Sequence, residues 1–338
     1  MVTNIMKKYV LVTGCAGLIG SRFCDWLLEN KSEYGVIGID SLFGGYIENV
    51  DKRVIFFQHD ISKDNISYIF ERYNIEYVYH FAAYAAEGLS PFMRMFNDSN
   101  NMLSTDNVIN QCVKHNVKRL VFTSSMSVYG HGSKNGERFD EDDIPQPIDP
   151  YGVSKYACEL NIKSAGEQFG LDWCIIRPHN VYGAKQNIWD MYRNVLGIWM
   201  YAALNNGSMK IYGDGKQKRA FSYIDDILEP LWNAAVLPKA SKQIINLGSI
   251  SDVSINDACH LLEKITDYHN IEYCESRYEV KIAVPTHQKS VDILDYKENH
   301  TLEEGLRLMW EWAKQQPERE QKRWSEYEIS KNLYSYWK

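Results

Sequence analysis

The sequence predicts an α/β protein built on a doubly wound parallel sheet, with a second, smaller α/β region towards its C-terminus. Two observations carry that prediction. Short apolar runs recur along the first half and are continuous rather than alternating, the mark of strands covered on both faces. Between them lie stretches with helical spacing, and repeated β-α units of this kind give a parallel sheet with right-handed crossovers. A chain of 338 residues can hold one large domain and a smaller one.

The strand-like runs are KKYVLVTG (7–14), YGVIGID (34–40), RVIFFQHD (53–60), EYVYHFAA (76–83), KRLVFTSS (118–125) and LDWCIIRPHNVYG (171–183). Leu18–Glu29, Asn101–His115 and Tyr151–Phe169 have helical patterning. After about Gly183 the rhythm changes. Ile188–Leu204 looks helical, YGDGKQKRAFSYIDD (212–226) interrupts with turn residues, and IINLG (244–248) is one more strand-like run. Ser254–Asp267 and Leu302–Lys314 close the helical set, and the charged, aromatic tail after Pro317 is expected to be a solvated surface helix or a dimer contact. These shifts divide the chain into 1–184, a cofactor-binding unit, and 185–338, mainly substrate-binding, with about 220–250 returning to the first unit.

Bulk properties narrow the partners. Hydrophobic residues make up 45% and charged residues 24%, an ordinary globular balance. A net charge of −7 and a pI near 5.8 argue against nucleic acid or an anionic membrane. The seven cysteines are odd in number and form no CxxC pair, which fits buried free thiols in a reducing compartment. With no signal-like segment and no run long enough to span a bilayer, a cytoplasmic enzyme is expected. The nine histidines form no HxxxH or HxH set with carboxylates, so no metal site is expected.

The first run leads into Gly14-Cys-Ala-Gly17-Leu18-Ile19-Gly20 and then a helix. Glycines there allow a sharp turn and bring backbone N–H groups against a pyrophosphate at the helix's positive end. The spacing GxxGxxG departs from GxGxxG. Asp40, ending the second run, is positioned to accept from the adenosine ribose hydroxyls and to repel a 2′-phosphate, favouring NAD over NADP. Asp60 and Ile61, after the third run, could meet the adenine edge.

Tyr151 and Lys155, four apart, share one helix face. Lys155 near the phenol would depress its pKa, as a general acid–base requires, and Ser125 at a strand end could bond the same substrate oxygen. Taken with GCAGLIG, HFAA (80–83), NMLST (101–105), SSMSVYG (124–130), RPHNVYG (177–183) and LEEGL (302–306), these motifs resemble the extended short-chain dehydrogenases/reductases of the nucleotide-sugar epimerase and dehydratase group. The resemblance implies a Rossmann-type fold, NAD as cofactor and Ser125, Tyr151 and Lys155 as the catalytic set. It implies a cofactor site of Gly14, Gly17, Leu18, Ile19, Gly20, Asp40, Asp60, Ile61, Phe81, Ala82, Ala83, Asn101, Ser124, Tyr151 and Lys155, the last on the nicotinamide ribose. It further implies a homodimer through the helices Asn101–His115 and Tyr151–Phe169.

On the substrate side, Asn180 and Arg219 resemble residues that hold a sugar nucleotide's diphosphate, with Asn187 and Arg193 in the same region. Glu87, in AAYAAEGLSP (82–91), lies where the sugar would sit. A second diphosphate cation could be Arg277, Lys281 or His287. Dehydratases of the group follow the hydroxyl residue with an Asp-Glu pair, whereas this chain has Met126 and Ser127, so loss of water would lack its acid. C4 epimerisation of a UDP-hexose or UDP-hexuronate is therefore expected. A net oxidoreductase of a keto sugar, a 4,6-dehydratase and a non-catalytic NAD-binding scaffold remain the alternatives. His80, His179, the Trp189–Trp199–Tyr201 stripe and the pair Asp225–Asp226 are expected to be structural, the last as helix caps.

Overall fold

A computed structural model describes residues 7–131, 138–280 and 282–337. Seven strands form one parallel sheet: β1 Lys8–Thr13, β2 Tyr34–Asp40, β3 Ile55–Gln58, β4 Asn74–His80, β5 Arg119–Thr123, β6 Trp173–Pro178 and β7 Gln243–Leu247. Their order is β7-β6-β5-β4-β1-β2-β3. The chain starts at the centre, winds outward to β3, and returns to place β4 on the free side of β1. Ligands of such sheets bind beyond the carboxyl ends where the winding reverses. Gly14 after β1 and Phe81 after β4 flank that point.

Alternation along β1 explains the sandwich. Val10 and Val12 join a core cluster with Phe23 and Leu27 of helix α1 (Leu18–Asn30), whereas Leu11 joins another with residues of α2 (Ser67–Arg72), α4 (Ser104–Lys114) and α5 (Pro150–Phe169). Between α3 (Arg94–Asp98) and α4 the chain makes one turn of π-helix, Ser99–Leu103. The remaining helices are α6 Val195–Leu204, α7 Ile224–Val236, α8 Ile255–Thr266, α9 Gln288–Leu294 and α10 Leu302–Ala313. Helix α10 begins with a reciprocal capping box between Thr301 and Glu304. Met209–Tyr212 pairs with Ile271–Cys274, away from the main sheet.

Three local expectations are corrected. Residues 188–194 are not helical: Asn194 caps α6 by accepting from Leu196 N at 3.0 Å, so the helix starts at Val195. Asp225 and Asp226 lie inside α7's first turn rather than capping it. Asp225 pairs with Arg22 at 2.7 Å, and Asp226 accepts from His300 Nδ1 at 2.6 Å and from the Asn299 and His300 amides, tying α7 to the chain before α10. The tail is not a helix beyond the single turn Ser335–Trp337. Its aromatic residues bury against the segment after β4: Trp337 packs with Tyr84, Leu89 and Phe92, and Glu328 accepts from the Met95 and Phe96 amides at 2.8 and 2.9 Å.

All seven cysteines are free, six of them buried. Among the described residues no helix is long and apolar enough to cross a membrane.

Candidate active site

Two adjoining cavities open at the carboxyl ends of the strands, one of about 410 Å³ and one of about 110 Å³. Gly14, Gly17, Phe81, Ala83 and Arg193 line both, making them one cleft with a narrow end. Leu18, Ile19, Gly20, Ser124, Ser125, Tyr151 and Lys155 line the larger part, and Asp40, Asp60, Ile61 and Ala82 the narrower.

The glycine turn has two kinds of glycine. Gly14 has φ +72°, and a Cβ there would sit 2.7 Å from the Ala82 amide nitrogen. A Cβ on Gly20 would lie 2.1 Å from the Gly14 carbonyl oxygen. Both are required by the fold. Gly17, which precedes α1, would meet nothing nearer than the Gly14 oxygen at 3.4 Å, so the protein itself does not demand a bare backbone there. A group lying on the turn would. Asp40 faces the narrow end with each carboxylate oxygen holding one backbone N–H, Ala16 at 3.0 Å and Leu42 at 2.8 Å. Burial raises its pKa, with those N–H groups and the Arg193 charge opposing. The turn, Asp40 and the strand-end residues thus fit a dinucleotide, its pyrophosphate on the turn and a ribose at Asp40.

Tyr151 enters the site because α5 starts there: Pro150 occupies the first position and Asp149 caps it, accepting from Gly152 N at 2.8 Å. Lys155, one turn on, is buried. Its ammonium donates to the Thr123 carbonyl at 2.8 Å and sits 4.6 Å over the Phe122 ring and 6.0 Å from the Tyr151 ring centre. Burial lowers its pKa to about 8.

Lys155 stands one turn from this phenol, as the spacing predicts, and other groups act on the phenol as well. Burial pushes the Tyr151 phenol well above its ordinary value, the Glu87 and Asp149 carboxylates push it further, and the Ser125 hydroxyl and Arg193 oppose. Ser125 Oγ lies 2.7 Å from Ser127 Oγ and accepts from the Ser127 amide at 3.1 Å. Behind Ser124, the buried pair Glu159–Arg177 at 2.7 Å locks α5 to β6, and Ser124 Oγ donates to the same carboxylate.

The remaining sequence candidates divide. Glu87, Asn180, Asn187 and Arg219 line the larger cavity. Asn180 has φ +38° and donates to the Ala220 carbonyl at 3.0 Å. Asn187 braces the loop after β2, donating to the Gly44 carbonyl. Arg193 stacks 4.2 Å from the Tyr84 ring centre and touches Asp190, on the boundary with the narrow end rather than wholly on the substrate side. Arg219 pairs with Glu279 at 2.7 Å.

Asn101 does not line either cavity. Its amide accepts from Tyr84 N and donates to Asn97, so it holds the segment after β4 against the π turn. Of the three candidate cations, Arg277 lines the cavity, lies 3.4 Å over the Tyr212 ring, and keeps Nη2 without a hydrogen-bond partner among the described residues. His287 is turned inward against His179, and Lys281 lies outside the described residues. His80 is fully bonded by Thr13 and Thr105, with burial lowering its pKa to about 3. Sequence reasoning missed Gln186, buried on the cavity wall with neither amide atom partnered among the described residues. The unusual polar run after Gly183 is its only signal.

The description of the NAD dependent epimerase/dehydratase family matches residues 10–248. The chain belongs to this family. Its cofactor is therefore NAD. Similar proteins include the UDP-glucuronate 4-epimerase of Thermodesulfobacterium geofontis, 31% identical over 91% of this chain and 96% of that one. The dTDP-D-glucose 4,6-dehydratase of Mus musculus is 30% identical over 90% of this chain and 88% of its own. The crystal structure of UDP-glucose 4-epimerase from Thermotoga maritima, with UDP-glucose, superposes with a TM-score of 0.84 at 31% identity, covering 90% of this chain and 98% of that one.

Proposed function

We propose that the protein is an NAD-dependent nucleotide-sugar 4-epimerase acting on a UDP-hexose or UDP-hexuronate. The observation that carries this reading is Ser125, Tyr151 and Lys155 converging on the larger cavity beside the glycine turn, with Met126 and Ser127 where elimination would need acids. The similar 4-epimerases of UDP-glucose and UDP-glucuronate support the substrate class.

Bound NAD supplies the hydride acceptor and donor. In the proposed cycle Tyr151 takes the C4 hydroxyl proton and later returns it, with Ser125 bonding the same oxygen. Gly14, Gly17, Leu18, Ile19 and Gly20 hold the pyrophosphate, Asp40 a ribose, and Asp60, Ile61, Phe81, Ala82 and Ala83 the adenosine and nicotinamide walls. Lys155 holds the nicotinamide ribose. Arg219 and Arg277 clamp the diphosphate by their planar forks of donors, Asn180 helps, and Glu87 meets the sugar. Residues 1–184 serve the cofactor and 185–338 mainly the sugar nucleotide, with about 220–250 counted in the first unit. Exposed Leu103, Val153 and Leu160 on the π turn and α5 suit a homodimer, and the free thiols suit the cytoplasm.

The test is incubation with UDP-glucose and with UDP-glucuronate, followed by NMR. Interconversion with the C4 epimer, without added reductant, is expected. A product lighter by one water, or stoichiometric use of NADH, would overturn the reading.

A further inference from the structure

An arginine whose neighbours leave its charge unmatched is ready for an anion. Arg277 is such a residue. It lines the larger cavity, and no carboxylate pairs with it among the described residues, whereas Arg219 in the same cavity is matched by Glu279. Its own stretch of chain does little to aim it. Ile271–Cys274 pairs with Met209–Tyr212, but residues 275–280 form neither helix nor strand.

Aromatic side chains fix the guanidinium instead. Its carbon lies 3.4 Å over the Tyr212 ring, 5.2 Å from the Tyr336 ring centre and 5.6 Å from that of Trp337. Nε donates to the Tyr336 hydroxyl at 2.8 Å, across 59 residues of chain. Tyr336 and Trp337 form the far end of the tail, and that end is itself anchored. Trp337 is buried, with its ring 4.9 Å from Tyr192 on the cavity wall and 5.9 Å from Phe92. The Tyr192 hydroxyl lies 2.8 Å from that of Tyr327 and accepts from the Trp324 amide at 3.1 Å. A Cβ on Gly88 would come within 3.5 Å of the Trp337 ring and 3.8 Å of Arg277 Nη1. The tail, the arginine and the segment after β4 therefore meet at one place on the wall.

We propose that the C-terminal tail completes the substrate site: Tyr336, seated by Trp337, is the positioning residue that aims Arg277 at the diphosphate. The inference rests on the nucleotide-sugar reading for the identity of the anion. Stacking on Tyr212 sets the plane of the guanidinium, and the bond from Nε sets its rotation within that plane. Both leave the terminal nitrogens for oxygens of the ligand, and Nη2 has no partner among the described residues. Rings and a phenol hold the cation without neutralising it, which a carboxylate would not do. A long, rotamer-rich side chain ordered in advance also binds more tightly than one ordered by its ligand. Tyr336 does not line the cavity, so it acts through Arg277 rather than on the sugar nucleotide.

The test is calorimetric titration of the NAD-loaded protein with UDP. Tyr336→Phe keeps the ring and its packing but removes the acceptor. Its affinity for UDP is expected to fall about tenfold, the scale of one lost hydrogen bond to a charged group, with thermal unfolding nearly unmoved. In turnover, KM for the sugar nucleotide rises by the same factor while kcat holds. Arg277→Ala loses more affinity, and adding Tyr336→Phe to it changes nothing further, because the phenol then has nothing to aim. Additive losses in the double variant would make the tail merely structural and overturn the proposal. Normal UDP affinity in Tyr336→Phe would overturn it too, and would leave the epimerase reading standing. No binding of UDP by the unaltered protein would overturn both.

Discussion

The two ends of the cleft are built differently. The cofactor end is largely backbone: the glycine turn after β1, the strand end Phe81–Ala83 after β4, and one carboxylate ending β2. Its residues end neighbouring strands of the sheet, and steric contact between backbones holds them. The end proposed for the sugar nucleotide is made of side chains brought from residues 87, 180–193, 210–219 and 277–279, braced by the tail that buries Trp337 against Tyr84 and Phe92. A backbone site tolerates little change in sequence, whereas a side-chain site can be altered one residue at a time. That difference suits a family that keeps one cofactor and varies its sugars.

Variants can break or sharpen this contrast. Tyr151→Phe, between the two ends, is expected to lose about 10²–10⁴ in kcat with no loss of thermal stability, as measured by turnover and calorimetry. Arg177→Met should do the reverse. It strands the fully buried Glu159, so unfolding free energy falls by about 3–5 kcal/mol in denaturant titration.

At the cofactor end, Gly20→Ala is expected to cost about 1–3 kcal/mol of stability by overpacking, because its Cβ meets the Gly14 backbone. Gly17→Ala should stay within about 0.5 kcal/mol of the unaltered protein yet bind NAD more weakly by calorimetric titration. Equal stability losses for the two alanines would remove the distinction drawn between them. At the other end, Glu328→Ala removes the acceptor of the Met95 and Phe96 amides. Its expected cost is about 0.5–2 kcal/mol, as for a lost helix cap, with faster hydrogen exchange over residues 94–98.

The cofactor end was legible in the sequence because its determinants are local. Each strand was visible as an apolar run ending in Gly14, Asp40, Phe81 or Ser125, and the YxxxK spacing placed Tyr151 and Lys155 on one helical face. The long run 171–183 divided into β6 and a two-residue strand because Asn180 takes a positive φ. What stayed hidden depended on tertiary packing. Aromatic residues in the tail suggested a helix, but they bury against the 84–96 segment without helical periodicity. Trp189 and Tyr192 extended the apparent α6 pattern, though Asn194 stops the helix short of them. Four-residue spacing put Lys155 beside Tyr151 but said nothing of the Thr123 carbonyl that takes its ammonium. Asn101 matched a cofactor-side position, while the π turn directs its amide to Tyr84 N and Asn97.

The most direct test of the central claim follows the hydrogen on C4. A UDP-hexose or UDP-hexuronate carrying deuterium at C4, converted in ordinary water without added nicotinamide, is expected to yield an epimer that keeps its deuterium at C4. Loss of the label to water, or one equivalent of reduced cofactor released for each sugar consumed, would contradict transient oxidation with return of the same hydride.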